Sequence, residues 1–219
     1  MRVLLLILCA VIGYAFGNIP CGVLLAKFMG GPDIRKTGSG NSGTTNMLRT
    51  MGWSAALLTF AGDVLKGLLP ALIGKLIGGE TGMLIAGFCA VLGHNFPAVM
   101  GFKGGKGIAT SLGITFIICP WCAPCLVVIV ITTVAITRLM SLGSIIASLS
   151  YPFLTYFLRP AGANGKAYLI FAIPLMLLAL FQHRANFSRL IHHSENKLDF
   201  SRINKLGKER RARKQNGGK

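Results

Sequence analysis

Long apolar runs separated by short polar segments dominate the pattern of hydrophobic and polar positions in this chain. An α-helix needs roughly 20 apolar residues to cross a bilayer. Four runs reach that length and a fifth is shorter: Val3–Ala26, Gly52–Ile77, Thr81–Met100, Leu139–Leu158 and Lys166–Phe181. The pattern therefore predicts an all-α, polytopic membrane protein.

A further apolar stretch, Ile108–Thr137, is about one and a half spans long. It is interrupted by "CPWCAPC", in which Pro120 and Pro124 separate two apolar halves. Prolines between two apolar halves favour a turn, so a helical hairpin suits this stretch.

The distribution of basic residues predicts how the runs cross the membrane. The first polar loop is rich in Lys and Arg, which places it in the cytoplasm and the N-terminus outside. If residues 108–137 crossed once, the basic C-terminal tail would lie outside, whereas a hairpin returns it to the cytoplasm. We therefore predict about seven transmembrane helices, with the N-terminus outside and the C-terminus cytoplasmic.

Composition supports the same class. Of 219 residues, 53% are hydrophobic and only 13% charged, and the mean hydropathy is +0.62. A soluble domain of this size does not bury so much apolar surface. The N-terminal run has no obvious cleavage site, so we interpret it as the first span and not as a signal peptide. We predict an integral membrane domain over residues 1–182 and a basic cytoplasmic segment and tail over residues 183–219.

The charge of the chain is strongly positive, with 23 Lys and Arg against 6 Asp and Glu. Eleven of the basic residues lie from Arg184 onward. A basic tail contacts nucleic acid in some proteins and anionic lipid headgroups in others. Because this tail follows membrane spans, the lipid interpretation is favoured, and we predict no nucleic-acid partner.

The segment "GSGNSG", residues 38 to 43, fits the glycine pattern of dinucleotide-binding folds, and Asp63 follows at a suitable spacing. That pattern has its meaning only between a strand and a helix of a βαβ unit. Here it follows a membrane-length apolar run, and Asp63 lies inside another one. The dinucleotide interpretation is therefore excluded.

Four polar segments are predicted to emerge on the cytoplasmic side: "RKTGSGNSGTTNMLR", "GFKGGKG", "TRLMSLGS" and "HRANFSRL". Together they present glycine backbone amides, hydroxyl groups and cations, which are the groups that bind phosphate. In the first segment, we expect Thr45 or Asn46 to cap the following helix. The second is not a Walker P-loop, because Met100 replaces its first glycine and Gly107 its Ser or Thr. Flexible, positively charged cytoplasmic loops are the simpler interpretation, but four such segments favour a phosphate site.

Acidic residues are too sparse for a metal-dependent phosphotransferase. Between Asp33 and the tail only Asp63 and Glu80 are acidic, so no carboxylate cluster is available for Mg²⁺. The cysteines of "CPWCAPC" have no fourth ligand nearby, which favours a proline turn over a metal site. We predict neither a metal nor a cofactor.

Two features inside or at the end of the spans are interpreted structurally. Asp63 and Lys66 share a helix face at i, i+3 and can neutralise each other. His94 and Asn95 end a span beside Pro97, and we expect them to position the "GFKGGKG" loop. No acidic residue lies near Lys106 in the sequence, so we predict that its ammonium is left for substrate.

Several longer motifs occur in order along the chain: "IPCGVLLAKF", "DIRKTGSGNSGTTNMLR", "GDVLKG", "GHNFPAVMGFKGGKGIAT" and "HRANFSRLIHHSENK". With these motifs the chain resembles the bacterial acyl-phosphate-dependent glycerol-3-phosphate acyltransferase family. The resemblance implies a seven-helix enzyme of the cytoplasmic (inner) membrane. It would transfer a fatty acyl group from acyl phosphate to the sn-1 hydroxyl of glycerol 3-phosphate, giving lysophosphatidic acid and phosphate. A soluble enzyme that produces acyl phosphate would be its partner.

The resemblance also implies the residues of the site, which we extend with neighbouring residues of the same motifs. The catalytic residues expected in this way are Lys106, His183 and Asn186. The expected substrate-binding residues are Ser39, Gly40, Asn41, Arg49, Gly105, Ser141 and Ser144. Because no orienting carboxylate is evident, His183 is either a general base or a hydrogen-bonding group that positions substrate. In the second case the proton can pass to the phosphate of the donor.

A membrane transporter of an organic phosphate is the alternative class, since it would also place cations in a membrane protein. Such a transporter is expected to show repeated halves and polar residues near the bilayer midplane. The sequence has no convincing internal repeat, and its polar groups lie at the ends of spans.

Overall fold

The computed structural model describes residues 1–207, and this part of the chain is helical without β-strands. A short 3₁₀ helix covers Ala98–Met100, and residues 200–207 are also helical. The α-helices are α1 (Arg2–Gly17), α2 (Cys21–Phe28), α3 (Thr44–Met51), α4 (Trp53–Asn95), α5 (Ile108–Ile118), α6 (Cys122–Thr137), α7 (Met140–Phe157), α8 (Gly165–Gln182) and α9 (Arg184–Ile191).

Three helical segments within residues 1–207 are long and apolar enough to cross a membrane: Arg2–Phe28, Trp53–Met100 and Gly165–Gln182. Helices α5 and α6 are apolar but shorter. The prediction of an all-α chain with several apolar helices is confirmed. The number of seven spans and the orientation of the termini stay predictions.

Two of the long segments contain a break. The first is interrupted between α1 and α2 at Pro20, which lacks a backbone N–H and disfavours helical geometry in the residue before it. The second is interrupted inside α4 at Gly78 and Gly79, and Gly79 has a φ of 63°. A positive φ is open to glycine at little steric cost, which explains why the chain changes direction there. This break separates the two runs that the sequence pattern predicted in this region.

The chain divides into two compact units. The first unit comprises residues 1–19 and 63–197, and the second comprises residues 20–62 and 198–219, of which residues 208–219 lie outside the described part.

Within the first unit, α1 packs closely on the second half of α4 through small residues. A Cβ atom at Gly13 would lie 2.1 Å from the carbonyl oxygen of Ala86, and one at Gly17 would lie 2.2 Å from that of Ala90. Gly13 and Gly17 form a G-x-x-x-G pair, a spacing that lets helix backbones approach each other in membranes. The two helices are therefore in backbone contact along this face.

The predicted turn between two short helices is present in the first unit, since α5 ends at Ile118 and α6 begins at Cys122. Helices α6 and α7 are antiparallel: Cys122 Sγ lies 3.8 Å from Thr155 Oγ1, whereas Gly143 packs against Val130. The hydroxyl of Tyr168, near the start of α8, donates to the carbonyl oxygen of Ile118 at 3.3 Å. The start of α8 is therefore at the same end of the unit as the turn.

The core of this first unit is formed by large apolar side chains from α5, α7 and α8. They are buried together and include Ile114, Ile118, Tyr151, Phe171 and Leu175. This packing fixes the helices whose opposite ends carry the polar residues described next.

Within the second unit, the helical segment 200–207 packs on the start of α4. The indole Nε1 of Trp53 donates to Asn204 Oδ1 at 3.1 Å, and its ring stacks on Phe200 at 6.3 Å between centroids. Aromatic stacking and this hydrogen bond hold the segment in place.

Candidate functional site

The "GFKGGKG" loop connects α4 to α5 and is held by backbone hydrogen bonds to the end of α4. The amide of Gly104 donates to Asn95 O at 3.1 Å, and the amide of Gly105 donates to His94 O at 3.0 Å. Gly107 has a φ of 79° and immediately precedes α5. Glycine adopts this backbone conformation readily. The loop thereby places Lys106 directly before the N-terminus of α5.

Lys106 is hydrogen-bonded to a residue that lies far away in sequence. Its Nζ donates to Oδ1 of Asn186, which is buried in α9. Asn186 Nδ2 in turn donates to Glu195 Oε1 at 3.0 Å. Glu195 Oε2 accepts from Arg189 Nε at 2.9 Å, and its side chain is only 3% exposed. We call Lys106, Asn186, Glu195 and Arg189 the polar cluster.

The polar cluster gives Lys106 a partner that the sequence did not predict. Lys106 was expected to have its charge left for substrate because no acid lies near it in sequence. The fold instead supplies it with the Asn186 carbonyl oxygen, and a carboxylate lies one residue further along the same chain of contacts. Asn186 is a neutral acceptor, so the positive charge of Lys106 is not cancelled within this hydrogen bond.

His183 is buried at the junction of α8 and α9, with 2% of its surface exposed. Burial, and to a smaller degree the positive charge of Lys106, lowers the pKa of His183 from its usual 6.5 to about 4. The imidazole is therefore neutral at pH 7. Its Nδ1 lies 2.8 Å from the carbonyl oxygen of Ala179. Since a carbonyl oxygen only accepts, Nδ1 carries the proton and Nε2 carries a lone pair.

The two serines of the third polar segment lie in the first turns of α7 and are buried. Ser144 donates its hydroxyl to Met140 O at 3.0 Å. The Ser141 hydroxyl and both side-chain polar atoms of Asn95 are buried without a hydrogen-bond partner among the described residues. A buried polar group without a partner is destabilising, and a bound ligand can satisfy it.

The predicted ligands of the first polar segment lie together in the second unit. Gly40 has a φ of 72°, and the amide of Ser39 donates to Asn46 Oδ1 at 2.8 Å. Asn41 Oδ1 accepts from the Gly43 amide at 2.9 Å. Arg49 follows on α3 and is half-buried. This loop and helix thus present Ser39, Gly40, Asn41 and Arg49 on one short segment.

Asn46 has a different role from the helix cap that was expected. Gly43 is the residue at the N-terminus of α3, and no side chain caps this helix. Asn46 is 1% exposed and donates through Nδ2 to Ile34 O at 2.8 Å and Thr37 O at 3.0 Å. From the first turn of α3, its amide therefore holds the loop that carries Ser39.

Sequence reasoning missed Glu195 as well as the role of Asn46. In the sequence, Glu195 is only one of three acidic residues that follow Arg184, the others being Asp199 and Glu209. The signal available in the sequence was its spacing: it lies six residues after Arg189, beyond the end of a short helix, so that the chain can turn back. Sequence alone does not predict that the chain turns back after α9 and brings Glu195 into contact with Arg189.

The described residues contain no group of three His, Cys, Asp or Glu side chains that could hold a metal ion. The cysteines of the turn between α5 and α6 make other contacts. Cys119 Sγ lies 3.0 Å from Leu158 O, and Cys122 Sγ lies near Thr155. These contacts connect the turn to the end of α7.

Comparisons with known proteins agree on one family. The family profile described as "Glycerol-3-phosphate acyltransferase" matches residues 7–193. Curated proteins named glycerol-3-phosphate acyltransferase match over most of their length. One from Thermoanaerobacter pseudethanolicus is 43% identical over 88% of this chain and 95% of its own. Another, from Clostridioides difficile, is 42% identical over 90% of this chain and 98% of its own.

Solved structures show the same similarity in three dimensions. The crystal structure of PlsY, an integral membrane glycerol 3-phosphate acyltransferase, in its glycerol 3-phosphate form has a TM-score of 0.81 and 34% identity, covering 90% of this chain and 98% of that one. Its lysophosphatidic acid form has the same TM-score and identity. The family profile covers most of the motifs that carried the resemblance and ends inside the last of them. The chain belongs to the glycerol-3-phosphate acyltransferase family.

Proposed function

We propose that this protein transfers a fatty acyl group from acyl phosphate to the sn-1 hydroxyl of glycerol 3-phosphate, releasing lysophosphatidic acid and inorganic phosphate. Membership of the family supports the acyltransferase activity. One observation supports the proposed catalysis most directly: Lys106 is hydrogen-bonded to Asn186, close to the neutral His183. Binding of phosphate substrates by an acyltransferase accounts for the Lys and Arg residues of the polar segments. The alternative function, transport of an organic phosphate, is not required to explain them.

Both proposed substrates carry phosphate, and the site offers groups that bind it. Lys106 brings a positive charge, and Ser141 brings a buried hydroxyl without a hydrogen-bond partner among the described residues. The catalytic residues, which contact the reacting atoms, are Lys106, His183 and Asn186. We assign the following residues to substrate binding: Ser39, Gly40, Asn41, Arg49, Gly105, Ser141 and Ser144.

The reaction needs no protein nucleophile, because acyl phosphate is a mixed anhydride with a good leaving group. The sn-1 hydroxyl oxygen forms the new bond to the acyl carbon, and the bond from that carbon to the bridging phosphate oxygen breaks. The Lys106 ammonium stabilises the negative charge that develops on the acyl oxygen and the departing phosphate. Holding the two substrates side by side supplies the remaining rate enhancement.

The hydroxyl proton passes to the departing phosphate. The departing inorganic phosphate gains a negative charge as its bond to the acyl carbon breaks, whereas burial lowers the pKa of His183 to about 4. Phosphate is therefore the stronger base near neutral pH. His183 Nε2 accepts the hydrogen bond of the hydroxyl and aims its oxygen at the acyl carbon. Of the roles left open by the sequence, the positioning role is the one we propose.

The proposed setting is the bacterial cytoplasmic membrane, crossed by seven helices, with the N-terminus outside and the site on the cytoplasmic side. The positive-inside distribution of Lys and Arg supports this orientation. A soluble enzyme that makes acyl phosphate would supply the donor from the cytoplasm, and membrane lipid would surround the apolar helices. No metal or cofactor takes part.

The donor can be tested directly with purified protein in detergent. Three donors with the same acyl chain are compared: acyl phosphate, the thioester of acyl carrier protein, and acyl-CoA. Glycerol 3-phosphate is the acceptor, and lysophosphatidic acid is the measured product. We expect product with acyl phosphate and at least tenfold less with either thioester. Equal or better activity with a thioester would contradict the proposed donor.

A further inference from the structure

Three ionisable side chains of α4 form a second buried cluster in the first unit: Asp63 and Lys66 lie before the glycine break of this helix, and His94 lies at its end. Asp63 Oδ1 lies 2.9 Å from Lys66 Nζ, and the two side chains are 3% and 5% exposed. His94 Nδ1 lies 3.6 Å from the same Asp63 oxygen, and the His94 side chain is 6% exposed. Lys66 Nζ also donates to the carbonyl oxygen of Ile19 at 2.8 Å. We call Asp63, Lys66 and His94 the anchor.

Burying an ion pair is a poor way to gain stability alone. The desolvation of two charges offsets most of their attraction, and apolar residues of similar volume often stabilise a protein as well. A buried pair that also contacts a third polar group is better suited to fixing a geometry. We therefore expect the anchor to fix the geometry of a neighbouring part of the fold.

The imidazole of His94 connects the anchor to the loop that carries Lys106. A Cβ atom at Gly105 would lie 2.0 Å from His94 Nε2 and 2.7 Å from its Cε1, so the ring edge fills the space beside the Gly105 α-carbon. The main chain of the same histidine accepts the hydrogen bond of the Gly105 amide at 3.0 Å. One residue thus holds Gly105 from two sides.

Gly105 directly precedes Lys106, so the position of its backbone sets where the lysine side chain begins. The ammonium of Lys106 must reach Asn186 in α9 from there. We propose that His94, seated against Asp63 and Lys66, is a positioning residue that fixes the backbone at Gly105 and thereby aims Lys106 at the substrate phosphate. This inference rests on the proposed function of Lys106 in that reaction. His94 itself touches no reacting atom.

A double-mutant cycle tests whether His94 acts through Lys106. The kcat/KM for glycerol 3-phosphate is measured for wild type, His94→Ala, Lys106→Ala and the double variant. We expect His94→Ala to lower kcat/KM by at least tenfold in the wild-type background and by less than twofold when Lys106 is already absent, because residues that act as a unit are not additive. An equal loss in both backgrounds would overturn the proposal.

A second variant separates positioning from stability. In His94→Asn the amide nitrogen replaces Nδ1 towards Asp63, but the ring edge against Gly105 is lost. We expect its thermal unfolding temperature in detergent to stay near that of wild type, while kcat/KM stays as low as in His94→Ala. If asparagine restores activity as well as stability, His94 has only a structural role. His192→Ala, which removes an exposed imidazole, serves as the control and should leave kcat/KM unchanged.

Amide hydrogen exchange gives a readout that needs no substrate. Peptides covering residues 101–108 should exchange several-fold faster in His94→Ala than in wild type, whereas peptides from α7 should not change. Unchanged exchange in the loop would overturn the role of His94. If instead wild type proved unable to use acyl phosphate, the proposed function would fail, and the exchange comparison would still decide whether His94 holds the loop.

Discussion

Asn186 accepts a hydrogen bond from the ammonium of Lys106, although 80 residues separate the two in sequence. The asparagine can do so only because its amide group is oriented: Nδ2 faces the Glu195 carboxylate, which leaves Oδ1 for the lysine. A buried carboxylate thereby orients a neutral amide, and the amide holds a cation at the start of α5.

Replacing Lys106 with alanine should nearly abolish turnover. The variant loses the cation that we assign to the phosphate and the developing oxyanion, at a cost of about 3 kcal/mol of transition-state stabilisation, or roughly a hundredfold in rate. Initial rates with acyl phosphate and glycerol 3-phosphate measure the loss. Lys103→Ala removes an exposed charge from the same loop and should be much milder. Equal losses in the two variants would reduce Lys106 to a charge that sets topology.

Replacing Glu195 with glutamine should lower the stability of the first unit. A glutamine oxygen can still accept from Asn186, but its NH₂ group then faces the Nε–H of Arg189, and two donors oppose each other. A buried hydrogen-bonding group that loses its partner costs about 1–3 kcal/mol, and thermal unfolding in detergent should show the decrease. The control is Asp199→Asn, the same change at an exposed carboxylate. A Glu195→Gln variant as stable as that control would contradict the orienting role.

His183 should make the protein less stable in acid. Its pKa in the folded protein is lowered to about 4, below the usual 6.5 of the unfolded chain, mainly because of burial. The unfolded state therefore binds more protons between pH 6.5 and pH 4. The stability that His183 contributes is fully present above pH 6.5 and is lost as pH falls through 4, by on the order of 3 kcal/mol.

Unfolding measured from pH 7 to pH 4 in wild type and His183→Gln checks this prediction. Wild type should lose more stability than the variant across this range. His192→Gln changes an exposed imidazole and should follow wild type. Parallel curves for wild type and His183→Gln would show that burial does not depress the pKa of His183.

Replacing Gly13 with alanine should disrupt the packing of α1 on α4. The added methyl group would lie 2.1 Å from the carbonyl oxygen of Ala86, and backbone atoms cannot move aside as a flexible side chain can. Overpacking of this kind costs about 1–3 kcal/mol or more. Thermal unfolding of purified protein measures it. Gly207→Ala adds a methyl group that would have no atom of residues 1–207 within 4 Å, apart from its chain neighbours, so it should be neutral.

Single cysteines should report the proposed orientation in the membrane. In a background without the six native cysteines, cysteines at the exposed positions Ser39 and Lys103 should resist a membrane-impermeant thiol reagent in intact cells. A cysteine at Trp121, which is 75% exposed in the turn between α5 and α6, should react. Labelling of Ser39→Cys and Lys103→Cys from outside would contradict the orientation.

The order of the apolar runs, the glycine break in α4 and the turn before α6 were all predictable from the sequence. Each depends on local properties: the length of an apolar run, the conformational freedom of glycine, or the missing N–H of proline. The family was also evident in the sequence, because its motifs are long and occur in a fixed order. The spacing of Gly13 and Gly17 predicts close packing of α1 on another helix. It does not identify that helix, because a small residue on any other helix would allow the same approach.

Tertiary structure decided the contacts of the candidate site. The sequence predicted Lys106, His183 and Asn186 as site residues, but it left Lys106 without a partner and His183 without an orienting group. The Ala179 carbonyl oxygen that orients His183 lies only four residues before it, so this contact is local. Folding brings α9 and Glu195 beside the "GFKGGKG" loop. It likewise joins the Asp63–Lys66 pair to His94. Hydrogen bonds and charge contacts depend on distances of a few ångströms between residues far apart in the chain, and local sequence patterns determine helices but not these distances.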